Sequence, residues 1–306
     1  MKRITALLAM LLACAMLCGC AAAGSEGKTF VTSFYPMYVF AQNVVKDVED
    51  VTVVNLAGEN VGCLHDYQLL TRDMVKLEKA DALIINGGGM EQFMDKVIAQ
   101  RPQMSVVNAG EGIEMLCSED EHNHDHEGHE HEVLNAHVWM DPKLAMVQVQ
   151  NIADGLAAVD PEHADAYQVN AGAYIARLEA LDAQITQILA PAAGRDIVTF
   201  HESFTYFAHA YGLTVAAVIS SDSGEEPSTR EIARLCDLVE EKGIGALFVE
   251  PQYPAKAAET IARETGAQVI TLDPVVSGDG SMESYETLML ENARIMMGAF
   301  FNDGED

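Results

Sequence analysis

Half of the ten histidines in this chain fall in one stretch, Glu121-His122-Asn123-His124-Asp125-His126-Glu127-Gly128-His129-Glu130-His131-Glu132. Imidazole is a ligand for zinc, copper, nickel and iron, and the interleaved carboxylates add weak oxygen donors while keeping the stretch solvated. Having no apolar side chain to bury, the stretch cannot fold by itself and reads as a surface loop. Alternation of histidine with acid is uncommon as neutral filler. His122, His124, His126, His129 and His131 are therefore expected to form an accessory loop for borderline transition metals; the plainer alternative is a charged loop with no role.

The other five histidines are dispersed, and a lone histidine is more often structural than a ligand, so position has to decide. His65 follows a second predicted strand, His137 follows a fourth strand and the histidine-rich stretch, and His201 directly follows the strand Asp196–Phe200. Asp273 follows the last strand. All four lie beyond carboxyl ends of strands, where open α/β sheets place their ligand crevices. Three imidazoles and one carboxylate supply the four donors that tetrahedral zinc prefers, whereas a magnesium or calcium site would be rich in oxygen. His163 and His209 fall within predicted helices and are assigned to solvent or packing. Glu202, beside His201, reads as a solvated group or one that supports a ligand. Cys63, two residues before His65, reads as a small buried thiol.

Positioning these residues requires a repeated α/β framework. From Thr29, short β-branched runs alternate with amphipathic stretches, as expected of βα units on a parallel sheet. Strands are predicted at Phe30–Phe34, Val51–Leu56, Ala82–Asn86 and Ser105–Asn108, with helices at Met37–Lys46, Thr71–Lys79 and Met90–Ala99. Thr71 is a candidate N-cap, and Gly87-Gly88-Gly89 a strand-to-helix turn that lacks the spacing of a phosphate-binding loop. The second half repeats the plan. Strands fall at Asp196–Phe200, Thr214–Ile219, Ala246–Val249 and Gln268–Leu272, and helices at Phe204–Tyr211, Thr229–Lys242, Ala255–Thr265 and Tyr285–Phe300. Between the halves, Pro161–Ala190 has apolar residues at helical spacing (Tyr167, Ala171, Tyr174, Leu178, Leu181, Ile185, Ile188) and no internal proline, so one long helix is expected to join two lobes. Such a connector favours small lobe shifts over wide hinge opening. The expected organisation is a signal segment at 1–20, a tether at 21–28, an N-terminal lobe at 29–159, a joining helix at 160–190 and a C-terminal lobe at 191–306.

Bulk properties agree with a two-lobed body that handles cations. The chain has 306 residues, is 49% hydrophobic, and carries 18 Lys and Arg against 47 Asp and Glu, a net charge of −29. An anionic surface of that size repels nucleic acid and anionic lipid headgroups. At the N-terminus, Lys2 and Arg3 precede the apolar run Ile4–Leu17, which is too short to span a bilayer comfortably and reads as an export signal. The run closes on Leu17-Cys18-Gly19-Cys20, which resembles the lipobox of bacterial lipoproteins. Cys20 would become the lipidated N-terminus, with enough acyl chain for stable anchoring outside the cytoplasmic membrane. Cys63, Cys117 and Cys236 remain, an odd number without CxxC spacing, so no pairing is assigned. The fifteen methionines are scattered, which fits packing better than a copper site.

Several segments together resemble one family. Leu64-His65-Asp66-Tyr67, His137-Val138-Trp139-Met140-Asp141-Pro142, Thr199-Phe200-His201-Glu202-Ser203-Phe204-Thr205-Tyr206-Phe207 through Tyr211-Gly212-Leu213, and Phe248-Val249-Glu250-Pro251-Gln252 are similar to the ZnuA/TroA-like solute-binding proteins of ABC metal importers. The resemblance runs from about Thr29 to the C-terminus. It implies two lobes joined by a rigid helix with one metal ion between them, bound by His65, His137, His201 and often Asp273. It also implies an extracytoplasmic receptor that hands its ion to a membrane permease and, through it, serves an ATPase; a monomer is expected. Manganese-type members tend to carry glutamate at the position of His201, whereas zinc-type members have histidine there and often a histidine-rich loop. Zn2+ is thus the expected cargo, with manganese or iron as the alternative. The first motif reads Cys63-Leu64-His65 where Asp-Pro-His is common, a departure that bears on the packing of Cys63.

A rival reading is a zinc hydrolase, with water in the fourth position and Glu202 or Glu250 as general base. The chain has no HExxH, and Asp273 would close the open position that catalysis requires. An enzyme is therefore not expected. An adhesin role is a third reading, for which no residue specifies a surface.

Overall fold

The computed structural model describes residues 27–58, 64, 67–118, 134–220 and 227–301. The first half forms β1 (Lys28–Thr32), β2 (Val51–Asn55), β3 (Ala82–Ile85) and β4 (Ser105–Asn108), all parallel, in the order β2-β1-β3-β4. The second half forms β5 (Asp196–Thr199), β6 (Thr214–Val218), β7 (Ala246–Val249) and β8 (Gln268–Thr271), again parallel, in the order β6-β5-β7-β8. The same winding is thus used twice. Central and edge strands differ as parallel sheets require: β3 and β7 are buried along nearly their whole length, whereas β4 and β8 each expose two residues at the sheet edge. In each sheet the order reverses between its first and third strands, and the crevice beyond their carboxyl ends is the natural ligand position.

The first-half helices are α1 (Tyr35–Val44), α2 (Thr71–Glu78) and α3 (Asp95–Gln100). Instead of the single helix expected at Met90–Ala99, a 3-10 turn at Gln92–Met94 precedes the shorter α3. Before it, Gly87, Gly88 and Gly89 all take positive φ (84°, 64° and 88°), a run that side chains would strain. The cap of α2 also departs from expectation. Leu70, not Thr71, is the N-cap residue, and the Asp73 carboxylate accepts its amide hydrogen at 2.9 Å, so no threonine hydroxyl is required there.

Two long helices follow. The first, α4 (Pro142–Val159), lies outside the elements expected from periodicity, although Asp141-Pro142 is a helix start: the Asp141 carboxylate accepts the Lys143 amide at 2.8 Å and proline occupies the first turn. The second, α5 (Ala164–Leu189), is the expected connector. Its 26 residues extend roughly 39 Å and run unbroken through Gly172. The buried stripe is Tyr167, Ala171, Tyr174, Leu178, Leu181, Ile185 and Leu189, so Leu189 replaces Ile188 at its end. The remaining helices are α6 (Thr205–Ala210), α7 (Thr229–Lys242), α8 (Lys256–Thr265) and α9 (Ser284–Phe301).

One hydrophobic core runs along α5 and α9 from Phe30 and Phe40 in the first half to Phe207 and Phe248 in the second. Smaller clusters fill the far side of each sheet. The two sheets therefore share a helical spine. No described helix is long and apolar enough to cross a membrane. Cys117 and Cys236 are free thiols, and Cys63 lies outside the described residues.

Candidate metal centre

His137 occupies the N-cap of the 3-10 turn Val138–Met140 that leads into α4, and His201 follows β5 and starts the turn Glu202–Phe204 that leads into α6. The two rings come from opposite halves of the chain and are both buried. Their Nε2 atoms stand 3.3 Å apart, with ring planes crossing at 80°. Two nitrogens bound to one tetrahedral zinc at 2.0–2.1 Å would be separated by about 3.3–3.4 Å. The spacing of the pair equals that of two nitrogens on one zinc ion.

Each ring has support. His137 packs against Trp139, with centroids 5.0 Å apart, and its Nδ1 lies 2.9 Å from Asn135 Oδ1. His201 packs against Tyr253, which stacks on Phe200. Glu202 is buried, which corrects the solvated alternative: it accepts the Ser118 hydroxyl at 2.6 Å, and its Oε1 is 4.0 Å from His137 Nδ1. Glu250 is also buried and accepts the Ser203 hydroxyl.

Asp273 sits just past β8 on a strapped segment. Asn292 of α9 accepts the Asp273 amide at 2.9 Å and donates to its carbonyl at 2.6 Å, while the Asp273 carboxylate accepts the Val275 amide at 2.7 Å. Val275 is fully buried at φ 60°, an outlier for a β-branched residue that this bond helps to hold. The Trp139 indole N–H donates to the Pro274 carbonyl at 2.9 Å, tying the segment to the first half two residues past His137. Burial pushes the Asp273 carboxyl above the usual range; the Val275 amide opposes this and Glu291 adds to it.

Beneath His137 lies a polar network that sequence reasoning did not find. Glu91 is buried and accepts the Ser33 hydroxyl and the Asn86 amide on Oε1, both at 2.7 Å, and the Gly87 amide on Oε2 at 3.1 Å. Burial pushes its pKa up to about 7 against the pull of those donors. Asn86 in turn donates to the Ala136 carbonyl at 2.9 Å and accepts from Gln148 at 2.8 Å. The only signal in the sequence was an acidic residue closely following the glycine turn.

The described structure therefore brings His137 and His201 together and seats Asp273 on the segment fastened to Trp139. Among the described residues, no group of three or more His, Cys, Asp or Glu side chains is placed to hold a metal ion. His65 lies outside the described residues, one position after the fully buried Leu64, and so do His122, His124, His126, His129, His131 and Cys20. His163 hydrogen-bonds Asp160 at the start of α5, and His209 is an exposed residue of α6, so neither approaches the pair.

The model of the family described as ZnuA, zinc-uptake complex component A periplasmic, matches residues 30–299. The zinc-binding lipoprotein AdcA of Streptococcus pneumoniae serotype 4 is 31% identical over 97% of this chain, and this chain spans 60% of that protein's length. The iron-binding protein YfeA of Yersinia pestis is 30% identical over 85% of this chain and 82% of its own length. Among solved structures, the crystal structure of ZnuA superposes with a TM-score of 0.76 at 29% identity, covering 89% of this chain and 99% of that one.

Proposed function

Because this chain belongs to the ZnuA family of metal-binding solute-binding proteins, we propose that it captures Zn2+ outside the cytoplasm and delivers it to the permease of an ABC metal importer. The observation that carries this reading is the buried His137–His201 pair, with nitrogens 3.3 Å apart on opposite halves of the chain. His65 and Asp273 complete the tetrahedral set. Neutral imidazoles replace the ion's water, and Asp273 cancels part of its charge. Affinity falls as acid protonates the imidazoles, because only the neutral ring offers a lone pair to the ion.

The loop His122–His131 raises the local zinc concentration near the cleft, and lipidated Cys20 holds the receptor at the outer face of the cytoplasmic membrane. The domain limits 29–159, 160–190 and 191–306 describe its two lobes and their connector. Glu202 and Glu250 do not serve as general bases, since the relatives are metal-binding proteins rather than enzymes. A manganese or iron cargo is the second reading, favoured by the iron-binding relative. A nitrogen-rich site opposes manganese, which stands at the weak end of the affinity order for such donors.

Competitive titration of zinc against manganese on purified protein tests the proposal, with His201→Ala and a deletion of 122–131 in parallel. One tight zinc that survives the deletion and is lost in His201→Ala is the expected result. Tight manganese in preference to zinc would overturn the cargo, and absence of any cleft metal would overturn the transport reading.

A further inference from the structure

Asn135 is fully buried and makes five hydrogen bonds with its side chain and backbone. Two of its side-chain partners fix which way the amide points. The His137 backbone N–H, which can only donate, lies 2.9 Å from Oδ1, and the Glu202 carbonyl, which can only accept, lies 3.2 Å from Nδ2. The oxygen and nitrogen of Asn135 are thus assigned by partners whose own roles are not in question.

The consequence falls on the metal-site ring. His137 Nδ1 is 2.9 Å from the same Oδ1, which has no hydrogen to give, so Nδ1 must carry the ring proton. The lone pair is left on Nε2, the atom that faces His201 Nε2 at 3.3 Å. A metal can be taken up only by an unprotonated ring nitrogen, and the hydrogen bond at the other nitrogen decides which one that is.

Asn135 also spans the two halves. Its Nδ2 donates to the Glu202 carbonyl, one residue past His201, and its own carbonyl accepts the Tyr206 hydroxyl of α6 at 2.7 Å. Tyr206 oxygen in turn accepts the Leu116 amide at 2.8 Å, and the Asn135 amide donates to the Leu116 carbonyl at 2.8 Å. A single neutral side chain therefore grips His137 twice and the His201-bearing turn once.

We propose that Asn135 is a positioning residue of the metal site: it holds His137 in the Nδ1–H tautomer and links it to the turn that carries His201. This rests on the zinc-site reading above for its effect on affinity, but the tautomer itself does not. An aspartate would keep the acceptor for both His137 bonds and lose the donation to Glu202; an alanine would lose all three side-chain bonds.

The test has two arms. Nitrogen-15 NMR of the metal-free wild-type chain at pH 8 should show His137 protonated at Nδ1 and bare at Nε2; the opposite tautomer overturns the proposal whatever the variants do. Zinc titration should show about 10–100-fold weaker binding in Asn135→Ala and recovery to within a few-fold of wild type in Asn135→Asp. Unchanged affinity in Asn135→Ala, or a loss in Asn135→Asp as large as that in Asn135→Ala, overturns it. If Asn135→Ala does not fold, the wild-type tautomer and the Asn135→Asp titration still decide. Should the wild-type chain bind no zinc, the transport reading fails while the tautomer arm still judges Asn135.

Discussion

Replacing Glu91 with glutamine should change how the stability of this protein depends on pH, by an amount set by burial. In the folded chain the Glu91 carboxyl is pushed from its ordinary 4.5 up to about 7, because burial disfavours the anion more strongly than the Ser33, Asn86 and Gly87 donors favour it. The folded state therefore holds the Glu91 proton more tightly than the unfolded chain does. The resulting stabilisation is fully present below pH 4.5 and is lost as pH rises through about 7. At 1.36 kcal/mol per pH unit, the whole span is worth about 3 kcal/mol. Glu91→Gln removes the titration. Its amide oxygen can still accept from Ser33 and Asn86, but its NH2 group faces the Gly87 N–H, at a cost of about 1–3 kcal/mol. Urea unfolding of the metal-free protein with chelator, at pH 5, 6, 7 and 8, gives both curves. Wild type should exceed the variant most at pH 5, and the gap should shrink by about 2–3 kcal/mol by pH 8. Histidine titration is common to both proteins and cancels in the difference. A gap that stays constant across the range would refute the assignment of a protonated, buried Glu91.

Zinc at a hundred times its dissociation constant should stabilise the protein by about 2.7 kcal/mol, read as a rise in thermal midpoint that chelator reverses and that His137→Ala abolishes. Gly155→Ala should destabilise by about 1–3 kcal/mol in chemical denaturation, because a Cβ there would lie 2.4 Å from Val107 Cγ1, between α4 and β4. Ser228→Ala should cost about 1 kcal/mol by opening the capping box in which Ser228 Oγ accepts the Glu231 amide and the Glu231 carboxylate accepts the Ser228 amide. Because that cap lies on exposed residues at the start of α7, zinc affinity should not move with it.

Periodicity and strand composition determined the elements of this protein well. All eight strands form within two residues of the expected limits, and the stripe Tyr167, Ala171, Tyr174, Leu178, Leu181, Ile185 on the connector is buried as its spacing implies. These features are local: a repeat of 3.6 or a β-branched run reports its own burial. The helix α4 was missed because its apolar face is bordered by small and amide residues such as Ala145, Gln148 and Ala153, buried against the first sheet without a strong apolar rhythm.

The chemistry divides differently. The sequence alone determined which residue types sit beyond strand ends, and so singled out His137 and His201, which the fold then placed 3.3 Å apart. Only the tertiary structure decided the groups that hold them. Asn135 contacts Glu202 from 67 residues away and Tyr206 from 71, Trp139 reaches Pro274 from 135 away, and Glu91 gathers Ser33 from 58 away. Such partners leave no mark in a linear pattern, because a buried amide, hydroxyl or carboxylate is specified by the donors and acceptors that folding brings to it, and by the cost of leaving any of them unpaired away from water.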